Sequence, residues 1–336
     1  MPRMWTETGL WADIRELPEG LAATVDASDG LAEAVALLGD SSVRRVVVSG
    51  NGAAYYVAMA LWLASLRSAG QGPELVAVPS GLLAGGSFRF RAGDRLLAIS
   101  SSGEFRDLIE AIDGGAPQPY AAITATAGST VERGAAARML QRVLHQRAVT
   151  HTQALAGAVA CALLIWAELS GDRELGDRVR AASGAARRAV EGAEQWAADL
   201  DPAPPAAAIA FSSGPGWAAA LETALLLKEV SRVPCEGVES REGATSAMFG
   251  LAPGHLALSL PLGDDPALEE TERLCAGAGA RVVRLPGGEH ADPRLSVIST
   301  LPAASAVAAR LADAAGHDID HPAWVDAYES TARGPA

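Results

Sequence analysis

One local plan occurs twice in this chain of 336 residues: a short apolar run, a glycine-rich turn, then a long apolar helical stretch. The first copy reads Arg45 to Ser49, Gly50-Asn51-Gly52, then Ala53 to Leu66. The second reads Ala207 to Phe211, Ser212-Ser213-Gly214-Pro215-Gly216, then Trp217 to Ser231. Each is followed by another strand-turn-helix: Arg95 to Ile99 leads through Ser100-Ser101-Ser102-Gly103 into Glu104 to Ile112, and His255 to Leu260 leads through Pro261-Leu262-Gly263-Asp264-Asp265 into Pro266 to Ala276. Further strands are expected at Leu75 to Val78, Ala121 to Thr124, Arg281 to Leu285 and Leu295 to Ser299. Alternating strands and helices specify an α/β fold, with parallel sheets covered by helices on both faces. Corresponding segments lie about 160 residues apart, which implies a duplicated unit. Helices over Ala154 to Leu169 and Gly176 to Leu200 are expected to join the halves, and Asp201-Pro202-Ala203-Pro204-Pro205 interrupts the pattern. The boundary therefore falls near residue 200, with domains over 1–200 and 201–336.

Hydrophobic content of 49% is ample for two such cores. The net charge of −13 supplies no basic field, so neither nucleic acid nor an anionic membrane is an expected partner. Cys161, Cys235 and Cys275 are odd in number and lack metal-ligand spacing, and His145, His151, His255, His290, His317 and His321 show no clustered pattern. Neither disulfides nor a metal is expected, and no cofactor. The segment Met1 to Leu10 has no continuous apolar stretch of the signal-peptide kind. Ala154 to Trp166, about 13 residues, is shorter than the roughly 20 that cross a bilayer and reads as a buried core helix. A cytoplasmic location is the expectation.

Lys228 is the only lysine, beside 26 arginines. An ammonium can lose its proton when buried and a guanidinium cannot, so this residue draws notice. Its place in the apolar run from Ala220 to Val230 is compatible with a structural ion pair, a snorkelling side chain, or an amine depressed far enough to form a Schiff base. Glu229 follows it. A carboxylate in such a segment should have a raised pKa, in the range useful for proton transfer, or should pair with a cation such as Arg232. Glu222 lies seven residues earlier, on the same helix face.

In open parallel sheets ligands sit beyond the carboxyl ends of the strands, where turns present backbone amides and helix N-termini. Ser100, Ser101, Ser102 and Gly103 occupy such a turn and could hold an anion, although serine and glycine are also ordinary helix caps. Gly50-Asn51-Gly52 lacks both the GxGxxG spacing and a GK[ST] ending, which disfavours dinucleotide binding and NTP hydrolysis.

Four separated segments carry a family resemblance. Ala220-Leu221-Glu222-Thr223-Ala224-Leu225-Leu226-Leu227-Lys228-Glu229-Val230-Ser231 resembles the ALEGALKLKEIS helix of the SIS (sugar isomerase) family, as it stands in the isomerase half of the glucosamine-6-phosphate synthases. Ile99 to Glu104 is similar to the family's ISQSGET phosphate loop, Asp13-Ile14-Arg15-Glu16-Leu17-Pro18 to its EIxEQP, and Gly316-His317-Asp318-Ile319-Asp320-His321-Pro322 to its GxDxDxP. The resemblance implies two tandem flavodoxin-like three-layer α/β/α SIS units, standing alone without a glutamine-hydrolysing domain, and a homodimer with its site between subunits. It also implies a small-molecule partner, a sugar or sugar phosphate, interconverted between aldose and ketose or processed as a sugar-amine adduct through an enediol or enolamine. Glu229 would be the acid/base. Gly50, Asn51, Gly52, Ser100, Ser101, Ser102, Gly103 and His151 would contact substrate, with Lys228, Glu242 and Thr245 in support.

The chain also departs from the family. Where GTS is usual it has Gly52-Ala53-Ala54, and Phe105 replaces the threonine after the phosphate-loop glutamate. Thr245 aligns with the ring-opening histidine, Ala327 with the C-terminal catalytic lysine, Leu226 with the first lysine of KLKE, and His151 with a serine that contacts the sugar. These exchanges weaken a phosphate site and ordinary ring opening, since each lost hydrogen bond to a charged group removes about 1.5–3 kcal/mol. They leave a second reading, a catalytically diminished sugar-binding or regulatory protein.

Overall fold

Two parallel sheets organise the computed structural model, which describes residues 4–68, 72–287 and 292–333. The first contains β1 (Arg45–Gly50), β2 (Glu74–Pro79), β3 (Asp94–Ile99), β4 (Ala121–Thr124) and β5 (Ala137–Leu140), in the order β2-β1-β3-β4-β5. Val47 stands opposite Val76 on one side and Leu96 on the other. The second contains β6 (Ala208–Ser212), β7 (Cys235–Glu239), β8 (Leu256–Ser259) and β9 (Arg281–Arg284), in the order β7-β6-β8-β9, with Ala210 opposite Gly237 and Leu258. Both orders reverse direction after the second strand. The crevices beyond β1/β3 and β6/β8 are therefore the natural ligand positions of the two sheets.

The central strands are apolar on both sides because both sides are covered. Val47, Leu96, Ala98 and Ala122 pack with Leu83, Leu108, Tyr120 and Val131 on one face of the first sheet. Side-chain alternation turns Val46 and Leu97 to the other face, where they gather with Leu61, Ile165 and Trp166. In the second sheet Ile209, Phe211, Val238 and Ala257 pack with Leu268 and Cys275. The helix Trp217–Leu226 lies on β6 and β7 and against the helix Ser296–Ala315.

Each sheet is the centre of a compact unit assembled from separate stretches of chain. The first-sheet unit comprises Glu19–Leu144, Gln153–Ala181 and the segment from Trp324; the second-sheet unit comprises the segment up to Pro18, His145–Thr152 and Ala182–Ala323. Two expected elements differ. The single helix over Gly176 to Leu200 is instead two, Arg173–Arg180 and Ala182–Ala198, meeting at Ala181. Ser183-Gly184, weak helix formers, lie just past the break. The first piece packs on the helix Gln153–Ser170 and the second on Ser296–Ala315. The strand expected at Leu295 to Ser299 is the start of that last helix, preceded by a short turn at Pro293–Leu295 whose cap, Asp292, accepts the Arg294 N–H. The β-branched Val297, Ile298 and Thr300 favour a strand locally, but their complete burial along a helix overrides that preference.

The helices Gln153–Ser170 and Pro293–Ala315 have the length and hydropathy of membrane-crossing segments, yet 89% and 94% of their apolar windows are buried within the protein.

Candidate functional site

In the first-sheet unit, the turn after β1 needs glycine for two reasons. A Cβ on Gly50 would lie 2.8 Å from Ala54 and 2.9 Å from the Ile99 carbonyl oxygen. Gly52 has φ 54° and ψ −129°, a backbone that side chains resist, and its N–H donates to Asn51 Oδ1 at 2.7 Å. The turn after β3 is tied from within. Gly103 N–H donates to Ser100 Oγ at 3.0 Å, Glu104 N–H to Ser102 Oγ at 3.2 Å, and the hydroxyls of Thr124 and Thr126 donate to the Ser101 carbonyl. Gly103 has φ 66°, and a Cβ there would meet Ser129 Oγ at 2.0 Å. Ser100 and Ser102 thus cap their own loop, and each hydroxyl accepting a loop N–H retains a proton to donate to a ligand. The helix Arg106–Asp113 begins without a side-chain cap at Phe105, so its opening amides point out of the turn. A depression of about 440 Å³ on that helix is lined by Glu104, Arg106, Ile109 and Glu110, whose carboxylates suit it poorly for an anion.

Glu229, Lys228, His151, Glu242 and Thr245 belong to the second-sheet unit. The helix Trp217–Leu226 passes directly into a π turn, Leu227–Ser231, closed by Arg232 in left-handed backbone at φ 57°. Such π turns widen the helix locally and recur at functional sites. Glu229 stands in the middle of this one. Burial pushes its carboxyl up to about 7, opposed by a hydrogen bond from Thr150 and by the adjacent Lys228 charge. Thr150 Oγ1 donates to Glu229 Oε2 at 3.3 Å. A carboxyl held near neutrality exists in both forms at physiological pH, as a proton shuttle requires. Thr150→Val should move the titration of Glu229 upward, by about one pH unit or less for one hydrogen bond, in a pH titration of the labelled carboxyl.

Thr150 is held by a network that unites two of the motif segments. Asp13, buried in the helix Gly9–Arg15, accepts from the N–H groups of Arg147 at 2.8 Å and Ala148 at 3.1 Å, and pairs with the Arg147 guanidinium at 2.8 Å. Arg147 also pairs with Glu16 at 2.7 Å, and that hydrogen bond holds the Glu16 carboxyl down at about 2. Asp320 caps the same helix, accepting from Gly9 N–H at 2.7 Å and Leu10 N–H at 2.9 Å, while its carbonyl accepts Val149 N–H at 3.3 Å. Gln146 Nε2 donates to the Thr150 carbonyl at 3.2 Å. Sequence reasoning singled out Asp13 and Asp320 within motifs but missed Thr150. Its contact joins residues 79 positions apart, and no local pattern announces it.

The remaining residues fall as follows. Lys228 is exposed, which removes the burial that a Schiff-base amine would need and leaves it as a cation beside Glu229. Thr245, also exposed, turns its hydroxyl back onto the carbonyls of Arg241 and Glu242 at 3.1 and 3.3 Å. Glu242 is exposed, and its N–H is capped by the Glu239 carboxylate at 3.2 Å. His151 is exposed immediately after Thr150. His290 lies outside the described residues. Among the described residues, no group of three His, Cys, Asp or Glu side chains could hold a metal ion.

Solved structures share this architecture. The C-terminal domain of glucosamine-fructose-6-phosphate aminotransferase from Francisella tularensis superposes with a TM-score of 0.78 at 18% identity, over 94% of this chain and 98% of that one. Tagatose-6-phosphate ketose/aldose isomerase from Escherichia coli gives 0.77 at 16% identity, over 96% and 100% of the two chains. Glucosamine-6-phosphate deaminase from Thermotoga maritima gives 0.76 at 15%, over 94% and 97%. No protein-family profile and no curated protein sequence matches the chain. At these identities the likeness establishes the fold: two parallel α/β sheets of the kind those proteins contain.

Proposed function

We propose that this chain is a SIS-type aldose-ketose isomerase, or a sugar-amine processing enzyme, in which Glu229 moves a proton between adjacent carbons of an open-chain sugar. The observation that carries this reading is the Glu229 carboxyl, held at about 7 in a π turn and oriented by Thr150. The base takes the proton next to the carbonyl, an enediol or enolamine forms, and the same carboxyl returns the proton to the neighbouring carbon. Ser100 to Gly103, with Gly50, Asn51 and Gly52, anchor the polar or anionic end of the substrate. The SIS assignment, the homodimer and the sugar or sugar-phosphate substrate rest on the motif resemblance and on the fold shared with the sugar-phosphate proteins named above. Phe105 and Ala53-Ala54 favour a modified sugar over a standard hexose 6-phosphate.

A second reading, a sugar-binding or regulatory protein with diminished catalysis, is favoured by Thr245. Its hydroxyl is committed to its own helix and supplies no ring-opening base. A thermal-shift screen of aldoses, ketoses, amino sugars and their phosphates, followed by proton NMR in deuterated water, separates the two. An isomerase incorporates deuterium next to the carbonyl of the stabilising ligand. Stabilisation without exchange supports the binder and contradicts the isomerase.

A further inference from the structure

Glu222 lies in the middle of the helix Trp217–Leu226 and is only 4% exposed. Among the described residues its Oε2 has no hydrogen-bond partner. The helical neighbours three and four residues away, Ala218, Ala219, Leu225 and Leu226, are all apolar, so no cation reaches it along its own helix. Elements packed on this helix carry few charges: β6 has none, β7 brings Cys235, Glu236 and Glu239, the helix Ser296–Ala315 brings Arg310 and Asp313, and the π turn brings Glu229 and the exposed Lys228. The charge that acts on Glu222 is that of Glu229. The two lie seven residues apart on one continuous helical rod, Glu222 in its α-helical part and Glu229 in the π turn that follows it directly.

We propose that Glu222 is a positioning residue: an uncharged carboxylic acid, sealed behind Glu229, that confines the negative charge of the pair to Glu229. This rests on the reading of Glu229 as acid/base and adds what keeps that base single. An ionised carboxylate here would be buried without a counter-charge, a state avoided by keeping the proton. Burial and the Glu229 charge both raise the Glu222 carboxyl well above the ordinary range. The proton lost or gained in turnover is then always that of Glu229, while Glu222 fills the space beneath it and excludes water.

The test is a carbon-13 NMR titration of the full chain labelled at glutamate carboxyls, with resonances assigned through Glu222→Gln and Glu229→Gln. Glu229 should titrate near neutrality while Glu222 keeps its proton, and Glu229→Gln should shift the Glu222 midpoint downward. In turnover, Glu222→Ala should admit water, move the acidic limb of the pH profile to lower pH and reduce the rate several-fold; Glu222→Gln, uncharged and of the same shape, should restore the limb. Ionisation of Glu222 at or below the Glu229 midpoint overturns the proposal, as does a Gln variant that behaves like the Ala variant. Should Glu222→Ala not fold, the wild-type titration decides alone. Loss of turnover in Glu229→Gln together with an ionised Glu222 sinks this proposal and spares the acid/base reading; full turnover in Glu229→Gln with a protonated Glu222 does the reverse.

Discussion

Glu229→Gln is expected to lower turnover by about 100- to 10,000-fold, the range for removing a general acid/base, while ligand-induced thermal stabilisation stays largely intact. The amide keeps the shape of the side chain and can still receive the Thr150 hydroxyl, but it cannot exchange a proton with carbon. The same variant carries a stability signature. The folded-state carboxyl lies near 7, above its usual 4.5, so the folded protein binds the extra proton between those values. That stabilisation is complete below about pH 4.5 and is lost as pH rises through about 7. Gln at this position never ionises. Its melting temperature relative to wild type should therefore rise as pH passes from 5 to 8, in thermal melts across that range. An unchanged rate with an unchanged pH dependence of melting would show that Glu229 is a surface carboxylate.

Asp13→Ala should be the more damaging change to the fold. The side chain is 1% exposed and serves two backbone N–H groups and the Arg147 guanidinium. Removing it leaves those two backbone donors without their acceptor, at about 1–3 kcal/mol for each, while the exposed Arg147 guanidinium keeps Glu16 as its partner. The effect extends to chemistry through His145–Thr152, because slack in that segment frees Thr150 from Glu229. Loss of that hydrogen bond raises the Glu229 titration, so surviving activity should have its acidic limb displaced to higher pH. Denaturant unfolding and a pH-rate profile measure the two effects separately. A variant with wild-type stability and profile would mean that Asp13 does not hold the segment.

Much of the architecture is legible in the sequence where strands carry continuous apolar runs. The uniformly apolar Val46-Val47-Val48 and Ile209-Ala210-Phe211 announce strands buried on both faces, and the glycines after them announce the turns. Of the four edge strands, β2 and β9 keep apolar or β-branched runs, Leu75 to Val78 and Val282-Val283, and are legible; β5 and β7 are not, because Arg138, or Glu236 and Gly237, break up their apolar signature. The candidate site divides in the same way. Glu229 stands out as a carboxylate within an apolar helix, and its raised pKa follows from that setting. Neither Thr150 nor the π turn has a local marker, since one depends on a fold-level contact and the other on how the helix ends at Arg232. The sequence of the serine loop fits either an anion anchor or a helix cap, and Ser100 and Ser102 do accept N–H groups of their own turn.

The central claim is that Glu229 exchanges a proton with substrate carbon, and the pH dependence of solvent-deuterium incorporation into a stabilising sugar measures that step without reliance on net turnover. Exchange in the wild-type protein should rise through an acidic limb centred near 7 and should vanish in Glu229→Gln. Exchange that persists in the variant with the same limb, or a wild-type protein that binds the sugar and exchanges nothing, would contradict the account.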